Sequence, residues 1–240
     1  MEKAHRSIWR WLAPVLFLLV FSVAPLRAAD QTNGYYLPKG KIDVVALLVA
    51  PPLAGSGEEA ADLAEVRAVH GSHPASEEAI AWQEENGKWL FDFTPAIGSY
   101  WQPGKLPKTE AFFHRIIRDT AQPLNIGKNY WKRPRPFVID PSLLQGKPEP
   151  GFSYPSGHST VGTVCALVLA EIFPDKRDAI LAIGRNIGWH RVMLAKHYPT
   201  DVVAGRVLAQ TIVRELNANP DFQRDLAEVK AEIATRTPHP

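Results

Sequence analysis

Three short segments of the chain concentrate the residue types that move protons and hold anions. In chain order they are Lys128-Asn-Tyr-Trp-Lys-Arg-Pro-Arg-Pro136, Tyr154-Pro-Ser-Gly-His-Ser159 and His190-Arg-Val-Met-Leu-Ala-Lys-His-Tyr-Pro-Thr-Asp201. In the second, Pro155 and Gly157 force a turn directly before a long apolar run. Ser156, Gly157 and His158 therefore fall at a helix N-terminus, where free N–H groups and the helix dipole favour an anion. In the third, Pro199 suits the first position of a helix and puts Asp201 in its first turn. From there the carboxylate can turn back to His197, fix its tautomer and leave the other ring nitrogen free to attack. Arg191, near the end of the preceding helix, can present a planar fork to phosphate oxygens. The first segment adds Lys128 and Arg135, with Lys132 and Arg133 between them. Each segment alone is equally compatible with something ordinary: an N-cap beside a solvated histidine, a surface His–Asp pair, a solvated basic face. Together they supply a nucleophile, an acid and a ring of positive charge, the inventory that phosphoryl transfer needs.

The elements that must carry these residues read as helices joined by proline-rich loops. Helical patterns cover about 58–70, 76–92 and 109–121, the last with Phe112, Phe113, Ile116 and Ile117 as one apolar stripe. Residues 42–50 suit one short helix or strand, and 134–155 read as a long loop. A helix should start at Ser156 and end near Phe173, with Asp175 as N-cap of the next. Another spans about 199–217, and the last starts with Asn219 as N-cap and Pro220 at its first position. Period-two alternation is scarce, so the expected fold is all-α, a single-domain helical bundle.

The N-terminus carries a different pattern. Lys3, Arg6 and Arg10 precede an apolar stretch over 12–23, and Ala28 and Ala29 follow. That is the layout of a secretory signal peptide over 1–28, and the stretch is short of the ~20 residues a spanning helix needs. The expected product, residues 29–240, is periplasmic or secreted, and free of the membrane once the signal is cleaved. The formal charge of the whole chain is +2, and the signal's four basic residues against Glu2 leave the remainder near −1. A near-neutral domain does not suit nonspecific nucleic-acid binding, which rests on many phosphate contacts. The lone Cys165 excludes an intramolecular disulfide or a cysteine-based zinc cluster. Its apolar neighbours mark it as a core residue.

The three segments resemble the signature of the type 2 phosphatidic acid phosphatase superfamily, K-x6-R-P, P-S-G-H and S-R-x5-H-x3-D. Here it reads Lys128-x6-Arg135-Pro136, Pro155-Ser156-Gly157-His158 and Arg191-x5-His197-x3-Asp201. Within that superfamily the chain is similar to the bacterial class A nonspecific acid phosphatases, from about residue 35 to the C-terminus. The resemblance implies an all-helical fold, no metal or other cofactor, and catalysis through a phosphohistidine on His197. Asp201 would orient that ring and His158 would protonate the leaving oxygen. Lys128, Arg135, Ser156, Gly157 and Arg191 would hold the phosphate. Substrates would be small phosphomonoesters, with inorganic phosphate or vanadate as inhibitors, and class A relatives are often homo-oligomers. One departure is visible: His190 stands where the signature has serine. His70, His73 and His114 match no motif position and read as surface groups.

Three other readings share parts of this pattern. A vanadium-dependent haloperoxidase uses the same signature, because vanadate mimics the phosphoryl transition state; the short chain and compact spacing favour the phosphatase. A membrane lipid phosphatase would need several spanning helices. A noncatalytic phosphate binder would not need both an acid and a nucleophile.

Overall fold

The computed structural model describes residues 34–85 and 89–236; the expected signal segment lies outside them. Among the described residues the regular structure is helical throughout. The longer helices are α2 (Gly57–His70), α3 (Ala75–Glu84), α5 (Pro107–Trp131), α7 (Gly157–Ile172), α8 (Arg177–Met193), α9 (Pro199–Asn217) and α10 (Pro220–Ala234). Single turns form α1 (Val44–Leu47), α4 (Thr94–Ile97) and α6 (Pro136–Ile139). No helix among the described residues is long and apolar enough to cross a membrane.

Helix α7 is apolar nearly all round, so it must be buried on every side. Val164, Cys165, Val168 and Leu169 are indeed fully buried, and burial pushes the Cys165 thiol up to about 12. Helices α8, α9 and α5 pack around it. The approach of α8 is close because glycines line the contact. A Cβ at Gly184 would lie 2.4 Å from Ala166 Cβ, and one at Gly188 2.9 Å from Ser159 Oγ. On the other flank, a Cβ at Gly205 of α9 would meet the Ser156 carbonyl at 2.8 Å. These contacts lock the N-terminus of α7 beside the end of α8 and the start of α9, the three places that carry the second and third segments. Helix α10 closes the far side of α5. Its buried Phe222, Leu226, Val229 and Ile233 recur at helical spacing, each worth about 1.5–3 kcal/mol of burial.

Four boundaries differ from expectation. Helix α5 continues through Pro123 to Trp131, although proline removes the N–H that would bond Asp119 O. Burial of Phe112, Phe113, Ile116 and Leu124 on one stripe outweighs that loss. Helix α3 stops at Glu84, and Phe91–Phe93 form a separate 3-10 turn. Asp175 is not an N-cap: it lies inside the 3-10 turn Pro174–Lys176, and α8 starts at Arg177 without a side-chain cap. The 134–155 loop contains α6 and a 3-10 turn, Pro141–Leu143. By contrast α9 begins at Pro199, and Asn219 Oδ1 caps α10 by accepting from Asp221 N and Phe222 N.

Candidate active site

The N-terminus of α7 forms the floor of the site. Ser156 is fully buried; its Oγ caps the helix by accepting from Ser159 N, and its own N–H donates to Asp201 O. A Cβ at Gly157 would meet only Leu124 Cδ2, at 3.4 Å. Protein packing leaves room for a side chain there, and the glycine leaves the backbone of the first helical residue uncovered.

His197 sits in the turn between α8 and α9, a turn that contains left-handed Ala195. The ring is buried. Its Nδ1 lies 3.4 Å from Asp201 Oδ2 and 3.3 Å from Ser153 Oγ, and Ser153 Oγ donates to the same Asp201 oxygen at 2.5 Å. Its Nε2 lies 3.2 Å from Arg135 Nη1. A guanidinium can only donate, so Nε2 must carry the lone pair and Nδ1 the proton. That is the tautomer in which Nε2 can attack. Asp201 also accepts from Tyr198 N at 2.9 Å, closing the first turn of α9.

Behind Asp201 lies a buried ion network. Arg133 donates to Asp201 Oδ1 through Nη1 and to Asp62 Oδ2 through Nη2, both at 2.7 Å. Thr200 donates to Asp62 from its N–H and its hydroxyl, and the Arg133 guanidinium lies 3.7 Å above the Tyr198 ring. Arg133 is 4% exposed, so it belongs to the interior of the site and not to a solvated basic face. Burial opposes its charge, but Asp201 and Asp62 outweigh that and raise its pKa.

The other side is cationic. Arg191 is fully buried, with Nε and Nη1 unpartnered. Its Nη2 donates to Glu149 Oε2 at 2.7 Å, and Arg135 Nη2 donates to Glu149 Oε1 at 2.8 Å. Lys128, at the end of α5, donates to the carbonyls of Phe152 and Ser153. Burial, then Arg135, pulls its ammonium down to about 8. His158 stands against Trp89, ring centroids 4.5 Å apart, with Nε2 buried and unpartnered. Burial, then Arg191, Arg135 and Lys128, hold His158 well below the ordinary imidazole range. His197 is lowered likewise, by burial, Arg135 and Lys128.

The structure thus brings Lys128, Arg135, Ser156, Gly157, His158, Arg191, His197 and Asp201 into one site. It also supplies Asp62, Arg133, Glu149 and Ser153, which sequence reasoning did not assign. His190 turns to α3 instead, where its Nδ1 lies 2.7 Å from Glu84 Oε2. The histidine in the serine position therefore docks α3 onto α8. His114 is exposed. His70 and His73 are half-buried and contact the carbonyls of Met193 and Val69.

The three segments fall within residues 116–221, which match the PAP2 superfamily. An acid phosphatase of Zymomonas mobilis is 31% identical over 199 residues, covering 80% of this chain and 75% of that one. A non-specific acid phosphatase of Providencia stuartii is 31% identical over 210 residues, covering 83% and 85%. A third, from Salmonella typhimurium, is 28% identical over 233 residues and covers 91% of each chain. The chain belongs to the PAP2 superfamily and, within it, to the class A non-specific acid phosphatases.

Proposed function

We propose that the protein is an exported acid phosphatase that hydrolyses small phosphate monoesters through a phosphohistidine on His197, without a metal ion. The observation that carries this reading is that His158 Nε2 and Arg191 Nε and Nη1, three of the buried side-chain atoms without a protein partner, belong to one site. A buried donor left unpaired costs about 1–3 kcal/mol, and a phosphoryl group would satisfy the guanidinium. Attack by His197 Nε2 forms the P–N bond as the ester P–O bond breaks. Bound phosphate offsets the Arg191, Arg135 and Lys128 charges that keep His158 neutral at rest, so that His158 takes up a proton, gives it to the departing oxygen and becomes the base that deprotonates water. That water attacks phosphorus, releasing phosphate and restoring both rings. Lys128, Arg135, Arg191, the Ser156 hydroxyl and the Gly157 backbone hold the oxygens on which charge develops. Asp201, with Ser153, keeps the proton on His197 Nδ1.

Metal independence is supported by the cradle's cations, Lys128, Arg135 and Arg191, which attract phosphate and disfavour a divalent cation beside them. Among the described residues no three His, Cys, Asp or Glu side chains are grouped to hold one. Export is supported by the pattern over 1–28. Turnover of glycerol phosphate and nitrophenyl phosphate by residues 29–240 tests the reading. Both are hydrolysed in excess EDTA, and vanadate inhibits competitively as a transition-state mimic. His158→Ala slows the alkyl ester, whose leaving group needs a proton, by ~10²–10⁴-fold and the nitrophenyl ester far less. Loss of activity in EDTA overturns the metal-free chemistry, equal losses on the two esters overturn the role of His158, and vanadate-dependent halide oxidation without phosphatase turnover makes the protein a haloperoxidase.

A further inference from the structure

The two arginines of the cradle are not empty-handed. Glu149 spans them, one carboxylate oxygen on Arg135 Nη2 at 2.8 Å and the other on Arg191 Nη2 at 2.7 Å. Two oxygens of one anion thus occupy two of the donors that phosphate would use. The rest of the segment does the same with backbone. Gln145 and Lys147 carbonyls accept from Lys196 Nζ at 2.8 and 3.0 Å, Gly151 O accepts from Arg135 Nε at 3.1 Å, and Phe152 O accepts from Lys128. From 145 to 153 the chain is strapped across the cations by oxygen atoms.

The strap has little else to hold it. Gly146, Lys147, Pro148, Pro150 and Gly151 are exposed, Gln145 and Glu149 are half-buried, and Glu149 reaches inward between the two prolines. Gly146 (φ 63°) and Gly151 (φ 77°) adopt left-handed conformations on either side of Pro148-Glu149-Pro150, positions where glycine turns without strain. A segment with few apolar contacts, held by polar contacts that an incoming phosphate can replace, opens more readily than packed core. The carboxyl is favoured as an anion: burial raises its pKa, but the positive charges around it, Arg135 and Arg191 among them, outweigh that and lower it.

We propose that residues 145–151 form a displaceable strap whose Glu149 carboxylate is an internal phosphate mimic, occupying the Arg135 and Arg191 donors at rest and yielding them to the incoming phosphoryl group. The inference rests on the phosphate-cradle reading above and adds a competitor built into the chain. Its consequence is weaker retention of every phosphate ligand, product included, because the binding-competent state is only a fraction of the resting protein. Glu149 returns to the arginines as inorganic phosphate leaves, which limits product inhibition.

Titration calorimetry with inorganic phosphate, at one pH and salt concentration, tests this in four proteins: wild type, Glu149→Gln, Glu149→Ala and Arg191→Ala. Thermal melts check that each is folded, and the glutamine variant keeps the size of the side chain. Both Glu149 variants bind phosphate on the order of tenfold more tightly, the expected gain when about one molecule in ten is competent at rest. Arg191→Ala binds more weakly. If Arg191→Ala is weakened while the Glu149 variants bind no more tightly than wild type, the carboxylate positions the arginines and the strap proposal falls alone. If Arg191→Ala binds phosphate as wild type does, the cradle reading fails and the strap with it.

Discussion

The two sides of the His197 ring are built on opposite terms. On the Asp201 side the carboxylates are saturated. Asp201 accepts from Arg133, Ser153 and Tyr198, and Asp62 accepts from Arg133 and twice from Thr200. On the cradle side Arg191 is just as deeply buried, yet two of its nitrogens and His158 Nε2 have no partner. Carboxylates held by this many donors have little freedom and so fix the ring they touch, even though Arg133 Nε and the Tyr198 hydroxyl beside them have no partner. The unpaired cradle nitrogens are a cost carried by the resting protein, one that a bound phosphoryl group would recover. Positioning and binding are thereby assigned to different faces of one imidazole.

The sharpest way to break this comparison is to remove one arginine from each side. Arg133→Ala leaves Asp62 and Asp201 buried without their countercharge, and loss of one partner from such a pair costs about 3–5 kcal/mol. Urea unfolding should show that loss, with phosphate affinity in the remaining folded protein little changed. Arg191→Ala should do the converse. It removes an incompletely paired cation, so its stability cost is much smaller, while kcat/KM falls by roughly 10²–10³-fold, as for the loss of one transition-state donor. Equal stability losses in the two variants would erase the distinction.

A smaller effect sharpens it through pH. Burial and the nearby cations lower both His158 and His197. Above their unfolded value of ~6.5 both are neutral in either state, and no linkage arises. As pH falls through that value the unfolded chain takes up protons that the native rings refuse, so stability is lost on acidification. The melting temperature of the ligand-free enzyme should drop between about pH 7 and about pH 5, and drop less in His158→Gln. An identical pH dependence in the variant would mean that His158 is not held neutral by the cradle.

Much of this is legible in the sequence. The starts of α7, α9 and α10 each combine a local signal with a local consequence: Ser156 before Gly157, Pro199 before Asp201, Asn219 before Pro220. The site residues named from the three segments came together because each segment sits at the end of a helix that packs on or beside α7. Partners from elsewhere carried no such mark. Asp62 is 71 positions from Arg133, on a helix whose acidic residues mostly face solvent, and nothing in its neighbours separates it from Glu58 or Glu65. Glu149 lies in a loop without periodicity. Charge density alone does not tell a buried cation such as Arg133 from an exposed one such as Lys132. Ser153 had a signal, standing one residue before Tyr154-Pro-Ser-Gly-His158. The run of α5 past Pro123 shows the limit of breaker rules, since burial along a long stripe outweighs one lost hydrogen bond.

The central claim is that His197 Nε2 becomes phosphorylated while its back side stays fixed by Asp201. Acid-free quenching during turnover of a radiolabelled phosphomonoester, followed by peptide mapping, tests it most directly. The account predicts one labelled peptide containing His197, with label stable to alkali and lost in acid as a phosphoramidate requires. His197→Ala should give no labelled protein and no turnover, whereas Asp201→Asn should retain a trace of both, its imidazole present but poorly poised. Label on any other residue, or a phosphoenzyme still trapped in His197→Ala, would contradict the account.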